Sequence, residues 1–493
     1  MVLLDFAIAT TNEYIAQMPK LMRKKYGQFF TSKETAVYMA SLFQISATQS
    51  SVTILDPGSG TGILSLALLD RLQNLPEIQD IHLICYENDS NVLNILKTNL
   101  NFAVQHCTKN LKFTIYPTNY ILDQKDHYAG KNITSATSFD FIISNPPYIK
   151  LPKDAPEAQA MPDICYGAPN IYFLFAEMSL FNLKNGGEMV YIIPRSWTSG
   201  AYFKKFREKF LKYGVLTNIH LFVSRDKVFD QENVLQETMI IKVKKTTISP
   251  ENISITTTQN NANFEICSEF KAPYDIVVNN KTTYIYLITN QEELISLKRL
   301  NKYNYTLPEI GLKMKTGLTV DFRNRESLRN NAEKNAVPLF YAQHIQQGTV
   351  NFPIGKENEF LVTEQKGLLQ NNSNYLFVKR FTTKEEHRRL QCGIYLASKY
   401  KNYSQISTQN KINFICGTKN LTKNTVYGLY TLFNSTIYDT YYRILNGSTQ
   451  VNSTEVNTMP VPPLETINQL GCELISCKDL SESTCDRILE NYL

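Results

Sequence analysis

Between residues 52 and 195, short β-branched runs alternate with helix-length stretches. VTILDPG reads as a strand and its turn, TGILSLALLDRLQN as a helix, IHLICYEND as a strand and SNVLNILKTNL as a helix, and two more strands are expected at FDFIIS and GGEMVYIIP. Strands separated by segments long enough for a helix specify a parallel, doubly wound α/β sheet, in which ligands bind outside the carboxyl ends of the strands. A further strand pair is expected at NIHLFV and ETMIIKVKK.

Near residue 245 the character changes to TTISPENISITTTQNNANFE, rich in Thr, Asn and Ser, and the βα rhythm stops. The expected domains are therefore 1–245 and 246–493, the second a mixed α+β unit of short elements in irregular order. With 493 residues, 43% of them hydrophobic, the chain can bury full cores for two or three domains. A net charge of +6 admits a polyanionic partner without requiring one. The N-terminus has no basic lead or small-residue cleavage site, and no segment reaches membrane-spanning length, so a soluble cytoplasmic protein is expected. Nine cysteines are scattered, and Cys472, Cys477 and Cys485 lack companions at zinc spacing; reduced, mostly buried thiols and no metal site are expected.

Two strand ends carry chemistry. ILDPGSGTGIL puts Asp56 at the end of an apolar strand and Gly58, Gly60 and Gly62 in the turn that enters the next helix, where a cofactor needs close approach to the main chain. LICYEND ends the following strand in Glu87, a carboxylate placed to accept both hydroxyls of a ribose. Dehydrogenases share this clamp, and either acid alone also suits a plain helix cap. Together they favour an adenosine-containing cofactor.

FDFIISNPPYIK ends a strand in Asn145-Pro146-Pro147-Tyr148. A primary amine whose lone pair is delocalised into a ring must become pyramidal before it can attack a methyl group. Two acceptors aimed at its N–H bonds would do this, the Asn145 side-chain oxygen and the Pro146 main-chain carbonyl, in a turn stiffened by Pro146 and Pro147. An exposed Tyr148 would offer a flat face for a base, a stack worth roughly 1–3 kcal/mol. The bland alternative is an ordinary Pro-rich turn with Tyr148 as filler.

These motifs resemble the class I S-adenosyl-L-methionine-dependent DNA adenine-N6 methyltransferases of the gamma order, the TaqI-like modification methylases of type II restriction-modification systems. The resemblance implies that Thr31 and the backbone near Phe29, in KYGQFFTSKETAVYMASLF, contact the methionine part of the cofactor. It implies that Asn119, where the family carries Asp, and Tyr120 hold the cofactor's adenine, and that Phe175 helps wall it. Phe229, in VFDQENVLQETMIIKVKK, would lie against the far face of a target adenine flipped out of the duplex at a cost of a few kcal/mol. The fold implied is a Rossmann-like methyltransferase domain followed by a target-recognition domain.

The C-terminal half is similar to the BsuBI-like subgroup, which implies that it reads a short duplex site. Candidate DNA contacts are Arg323, Arg325, Lys379, Arg380, Arg388 and Arg389, since Arg is the usual bidentate reader of guanine and phosphate. Lys204, Lys205 and Arg207 are expected as an exposed helix face. The partners implied are double-stranded DNA and a separately encoded restriction endonuclease acting on the same site, with the methylase itself a monomer in a bacterial or archaeal cytoplasm. Rival readings are a protein glutamine-N5 methyltransferase, which shares the Asn-Pro-Pro-Tyr turn, an RNA base methyltransferase and a non-catalytic DNA-recognition subunit. A fused nuclease is not expected, since Gly27 lies close to the first residue.

Overall fold

A computed structural model describes residues 2–17, 30–131, 138–222, 238–261, 264, 266–383, 386–445 and 450–493. The chain forms two compact units, Met1–Asn290 and Gln291–Leu493. No helix among the described residues is long and apolar enough to cross a membrane.

The first unit is built on one nine-stranded sheet. Its strands are β1 (Ser51–Asp56), β2 (Asp80–Tyr86), β3 (Asn110–Tyr116), β4 (Phe139–Ser144), β5 (Leu183–Pro194), β6 (Gly214–Phe222), β7 (Thr238–Lys245), β8 (Asn252–Thr258) and β9 (Ile266–Pro273). They lie in the order β3-β2-β1-β4-β5-β7-β6-β8-β9. β3, β2, β1, β4 and β5 run parallel, as the βα rhythm requires. The chain leaves β1 toward β2 and β3, then returns to place β4 on the other side of β1. That reversal is a topological switch point, where the two neighbouring crossovers diverge and open a crevice at the strand ends.

Helices α1 (Val2–Gln17), α2 (Lys33–Ser41), α3 (Ile63–Leu72), α4 (Ser90–His106), α5 (Tyr120–Tyr128), α6 (Pro156–Ala160), α7 (Ile171–Asn182) and α8 (Lys204–Tyr213) complete this unit, with a single turn at Tyr274–Val277. α7 is apolar on nearly every side and correspondingly buried along almost its whole length. The expected pair at NIHLFV and ETMIIKVKK forms as β6 and β7, antiparallel to each other, with β7 also antiparallel to β5.

The expected boundary at 245/246 is displaced. β8 pairs with β6 and β9 with β8, so residues beyond 245 extend the first sheet instead of opening a second unit. Threonine explains the difference: it suits loops by composition, yet its branched Cβ packs well on a pleated sheet, and Ile253 and Ile255 of this stretch are fully buried.

Arg207 also departs from expectation. Lys204 and Lys205 are exposed on α8, but Arg207 is fully buried and donates to the carbonyls of Trp197 (3.0 Å), Ser199 (2.7 Å) and Gly200 (2.9 Å). It ties down the turn after β5.

The second unit contains a six-stranded and a five-stranded sheet. Phe340, Phe377, Tyr395 and Phe414 form the centre of an aromatic core. Helices Lys423–Phe433 and Leu464–Cys477 cross so closely that a Cβ at Gly428 would overlap the Ile467 carbonyl and one at Gly471 the Asn424 carbonyl. Here two of the expected DNA contacts are corrected. Arg388 is 9% exposed and bonded to Glu482 (3.0 Å) and Thr436 (2.9 Å). Arg389 is fully buried, its Nε donating to Thr382 and its guanidinium over the Tyr442 ring. Both bind this unit together. Of the eight cysteines whose side chains are described, only Cys85, Cys392 and Cys485 are buried, fewer than expected.

Candidate active site

The carboxyl ends of β1, β2, β3 and β4 meet around a cavity of about 380 Å³, within the range of small-molecule sites. Asp56, at the tip of β1, is not on its wall. It is 1% exposed, accepts from Ser65 Oγ at 2.7 Å, and burial pushes its carboxyl up to about 7. With Ser59 Oγ donating to its main-chain carbonyl at 2.8 Å, Asp56 shapes the glycine turn from beneath.

The turn supplies room. Gly62 starts α3 at φ +89°, a conformation that costs an L side chain strain, and does not itself line the cavity. Gly58 does line it: a Cβ there would lie in van der Waals contact with the Phe175 ring at 3.5 Å and Pro147 at 3.9 Å. Gly60 directs its amide to Glu87 Oε2 (2.8 Å), and the Asp89 amide donates to Oε1 (2.9 Å). Burial raises the Glu87 carboxyl above its ordinary value, and these amides work in the opposite direction by favouring the anion.

At the end of β3, Asn119 caps α5, its Oδ1 accepting from the Leu122 amide at 3.2 Å. Its Nδ2 donates to Glu157 Oε1 at 2.8 Å. An aromatic wall adjoins these groups: Tyr86 packs edge-on to Tyr120 at 5.0 Å, and Tyr120 lies 5.6 Å from Phe175. All three residues line the cavity.

Asn145, Pro146 and Pro147 form the wall at the end of β4. Asn145 Nδ2 donates to Thr31 Oγ1 at 3.1 Å, and its Oδ1 accepts from the Tyr148 hydroxyl at 2.7 Å. That hydroxyl also lies 2.8 Å from the Ile192 carbonyl on β5. Tyr148 itself is 7% exposed and is not part of the wall, so the expected exposed platform is corrected here: the ring packs edge-on to Tyr172 at 6.2 Å. Burial holds its phenol protonated, far above the ordinary tyrosine range, so it remains a donor.

The cavity thus brings together Thr31, Gly58, Gly60, Glu87, Asn119, Tyr120, Asn145 and Phe175, residues from widely separated stretches of sequence. Phe29 and Phe229 lie outside the described residues. Sequence reasoning passed over Tyr86, although it directly precedes Glu87, and Glu157, which sits in PEAQA without any motif to mark it. The groups present fit a nucleoside-bearing ligand: a carboxylate for vicinal hydroxyls, aromatic residues for a base, and a glycine turn that leaves the main chain open to close approach.

Comparison with known proteins decides the family. The Eco57I restriction-modification methylase family matches residues 65–229. The type II methyltransferase M.BsuBI of Bacillus subtilis is 32% identical, the match covering 96% of this chain and 94% of that protein. M.PstI of Providencia stuartii is 31% identical, with 97% and 94% covered. The chain belongs to the type II methyltransferases.

Two solved structures share the fold of this type II methyltransferase. The type IIL restriction-modification enzyme MmeI in complex with DNA matches with a TM-score of 0.52 at 11% identity, covering 96% of this chain and 73% of that one. The DrdV-DNA complex matches at 0.50 and 12%, covering 96% and 59%. With its relatives M.BsuBI and M.PstI, the methyltransferase stands among the DNA methylases of restriction-modification systems, and S-adenosyl-L-methionine is its expected cofactor.

Proposed function

We propose that this enzyme methylates the N6 atom of an adenine in a short duplex site, protecting that site from a restriction endonuclease of the same specificity. The observation that carries the reading is the Asn145 side chain, which stands with Pro146 on the wall of the nucleoside-shaped cavity and is held from two sides by Thr31 and Tyr148. When bound, S-adenosyl-L-methionine supplies an electrophilic sulfonium methyl group.

The chain's residues do the rest. Glu87 accepts the ribose hydroxyls on the acceptor sites that its two amide partners, Gly60 and Asp89, leave open. Tyr86, Tyr120 and Phe175 flank the cofactor's base, and Thr31 anchors the Asn145 amide beside the methionine end. The Asn145 oxygen and the Pro146 carbonyl take the two N–H bonds of the target amine, which frees its lone pair, and the surplus proton leaves to water after transfer. Such an amine is out of reach in a stacked duplex, so the target base is extruded, with Phe229 as its partner on the far face. The second unit reads the site, Arg323, Arg325, Lys379 and Arg380 being the remaining candidates. Arg323 and Arg325 are exposed, whereas Arg380 is half-buried and bonded to Asn410 and Gln450.

The test is nucleoside analysis of duplex DNA incubated with the full chain and S-adenosyl-L-methionine. N6-methyladenine is expected. N4-methylcytosine would overturn the base assignment, and methyl transfer to RNA or protein glutamine in place of DNA would overturn the substrate.

A further inference from the structure

Helix α1 lies far from the glycine turn in sequence, yet it is fastened to that turn and to the two helices behind it. In its first turn the Leu3 and Leu4 amides donate to the Asp70 carboxylate of α3, at 3.4 and 2.8 Å. Phe6 then stacks on Phe102 of α4 at 3.8 Å. In the third turn the Thr11 hydroxyl lies 2.7 Å from that of Thr61. Beside it Thr10 donates to Asn99 Oδ1 at 2.8 Å, while Asn99 Nδ2 donates to the Thr61 carbonyl at 2.8 Å. Thr61 follows Gly60 in the turn and lines the cavity; Thr11 and Asn99 are fully buried behind it. Packing alone does not call for these polar groups. Asn99 shares the buried stripe of α4 with Val92, Leu96, Leu100 and Ala103, where an apolar side chain would leave no amide to satisfy. One turn further along α1, the Tyr14 ring stands edge-on to that of Phe30, a second cavity-lining residue, at 6.1 Å.

We propose that Thr11 and Asn99 are positioning residues for the cofactor: they hold the Thr61 segment of the glycine turn from behind, so that docking of α1 and occupancy of the cavity favour one another. Gly60, whose amide holds Glu87, is the residue before Thr61. A turn released at Thr61 would therefore carry the ribose carboxylate out of place, and misplacement on the order of 1 Å is costly to a site that works by orientation. Coupling of this kind is reciprocal, so a ligand that needs the turn in place must also hold α1 down. A helix that merely covered the core would add stability without altering the affinity of the folded protein. The inference rests on the cofactor reading given above and makes α1 part of that site.

The test measures binding, not turnover. Hydrogen exchange of the full-length enzyme is followed by mass spectrometry with and without S-adenosylhomocysteine, and the dissociation constant of that compound is determined by calorimetry for the wild type and for Thr11→Val, Thr11→Ser and Asn99→Leu. Ligand should slow exchange in α1 of the wild type. Thr11→Val, which keeps the shape and loses the hydroxyl, and Asn99→Leu should each weaken binding by roughly tenfold, within the usual range of coupling between sites. Thr11→Ser should bind as the wild type does. Affinity undiminished in folded Thr11→Val, or α1 exchange that ligand leaves unchanged in the wild type, would overturn the coupling while leaving the cofactor site standing. Failure of the wild type to bind S-adenosylhomocysteine at all would overturn the site as well.

Discussion

The Tyr148 hydroxyl lies 2.7 Å from the Asn145 side-chain oxygen and 2.8 Å from the Ile192 carbonyl, so this residue bears on the amide through its hydroxyl. One phenolic proton is set between two acceptors, and β5 thereby fixes where the Asn145 head group sits. Tyr148→Phe keeps the ring and removes the proton. A hydrogen bond of this kind contributes about 1–1.5 kcal/mol, so the single-turnover methylation rate should fall about tenfold with cofactor affinity unchanged. A rate equal to wild type would mean that the ring alone matters.

The proposed ribose clamp at Glu87 should make cofactor binding depend on pH. Its folded pKa is raised by burial, so its proton goes on at a higher pH than for a free carboxylate, and the ribose hydroxyls need the charged form as acceptor. Affinity should therefore decline as pH falls through that raised value, and Glu87→Gln should bind weakly with a flat profile. Titration of S-adenosylhomocysteine over roughly pH 5 to 8 checks this; an equally steep profile in the variant would assign the dependence to another group.

What is legible in the sequence, and what is not, follows from range. β1, β2, β4 and β5 announce themselves because a buried parallel strand is a short apolar run, and the residues that end them, Asp56, Glu87 and Asn145, are fixed by chain continuity. Which of these face the cavity is not legible. Asp56 supports the turn from below, since a strand tip can point either way. Tyr148 reads as exposed because its neighbours are loop residues, yet its partners Tyr172 and Ile192 are 24 and 44 positions distant. Glu157 is invisible for the same reason: its partner Asn119 is 38 residues away and α6 has only 5 residues to signal it. Arg207, Arg388 and Arg389 look like surface charge in a sequence, and only the fold shows them bonded inside.

Arg207 offers a stability test. Arg207→Met retains the aliphatic stem but leaves three carbonyl acceptors without their donor, which should cost about 2–4 kcal/mol in urea denaturation. Lys204→Ala, on the exposed face of the same helix, should change stability by less than about 0.5 kcal/mol. Equal stabilities for the two variants would contradict the role given to Arg207.

Exposed and buried arginines of the second unit should separate in DNA binding. Replacing Arg323 and Arg325 by Ala should weaken duplex binding and flatten its dependence on salt, by a slope of roughly 0.9 for each phosphate no longer neutralised. Arg388→Gln should lower stability and leave the slope as it was. A slope changed by Arg388→Gln alone would return that residue to the DNA interface.

The central claim is that Asn145 acts on the target amine and not on the cofactor. Single-turnover methyl transfer to duplex DNA and calorimetric binding of S-adenosylhomocysteine, both carried out on Asn145→Ala, test it most directly. The account predicts that transfer is abolished while affinity for the cofactor product stays within a few-fold of wild type. Transfer at near wild-type rate, or its loss only in proportion to a lost affinity, would contradict it.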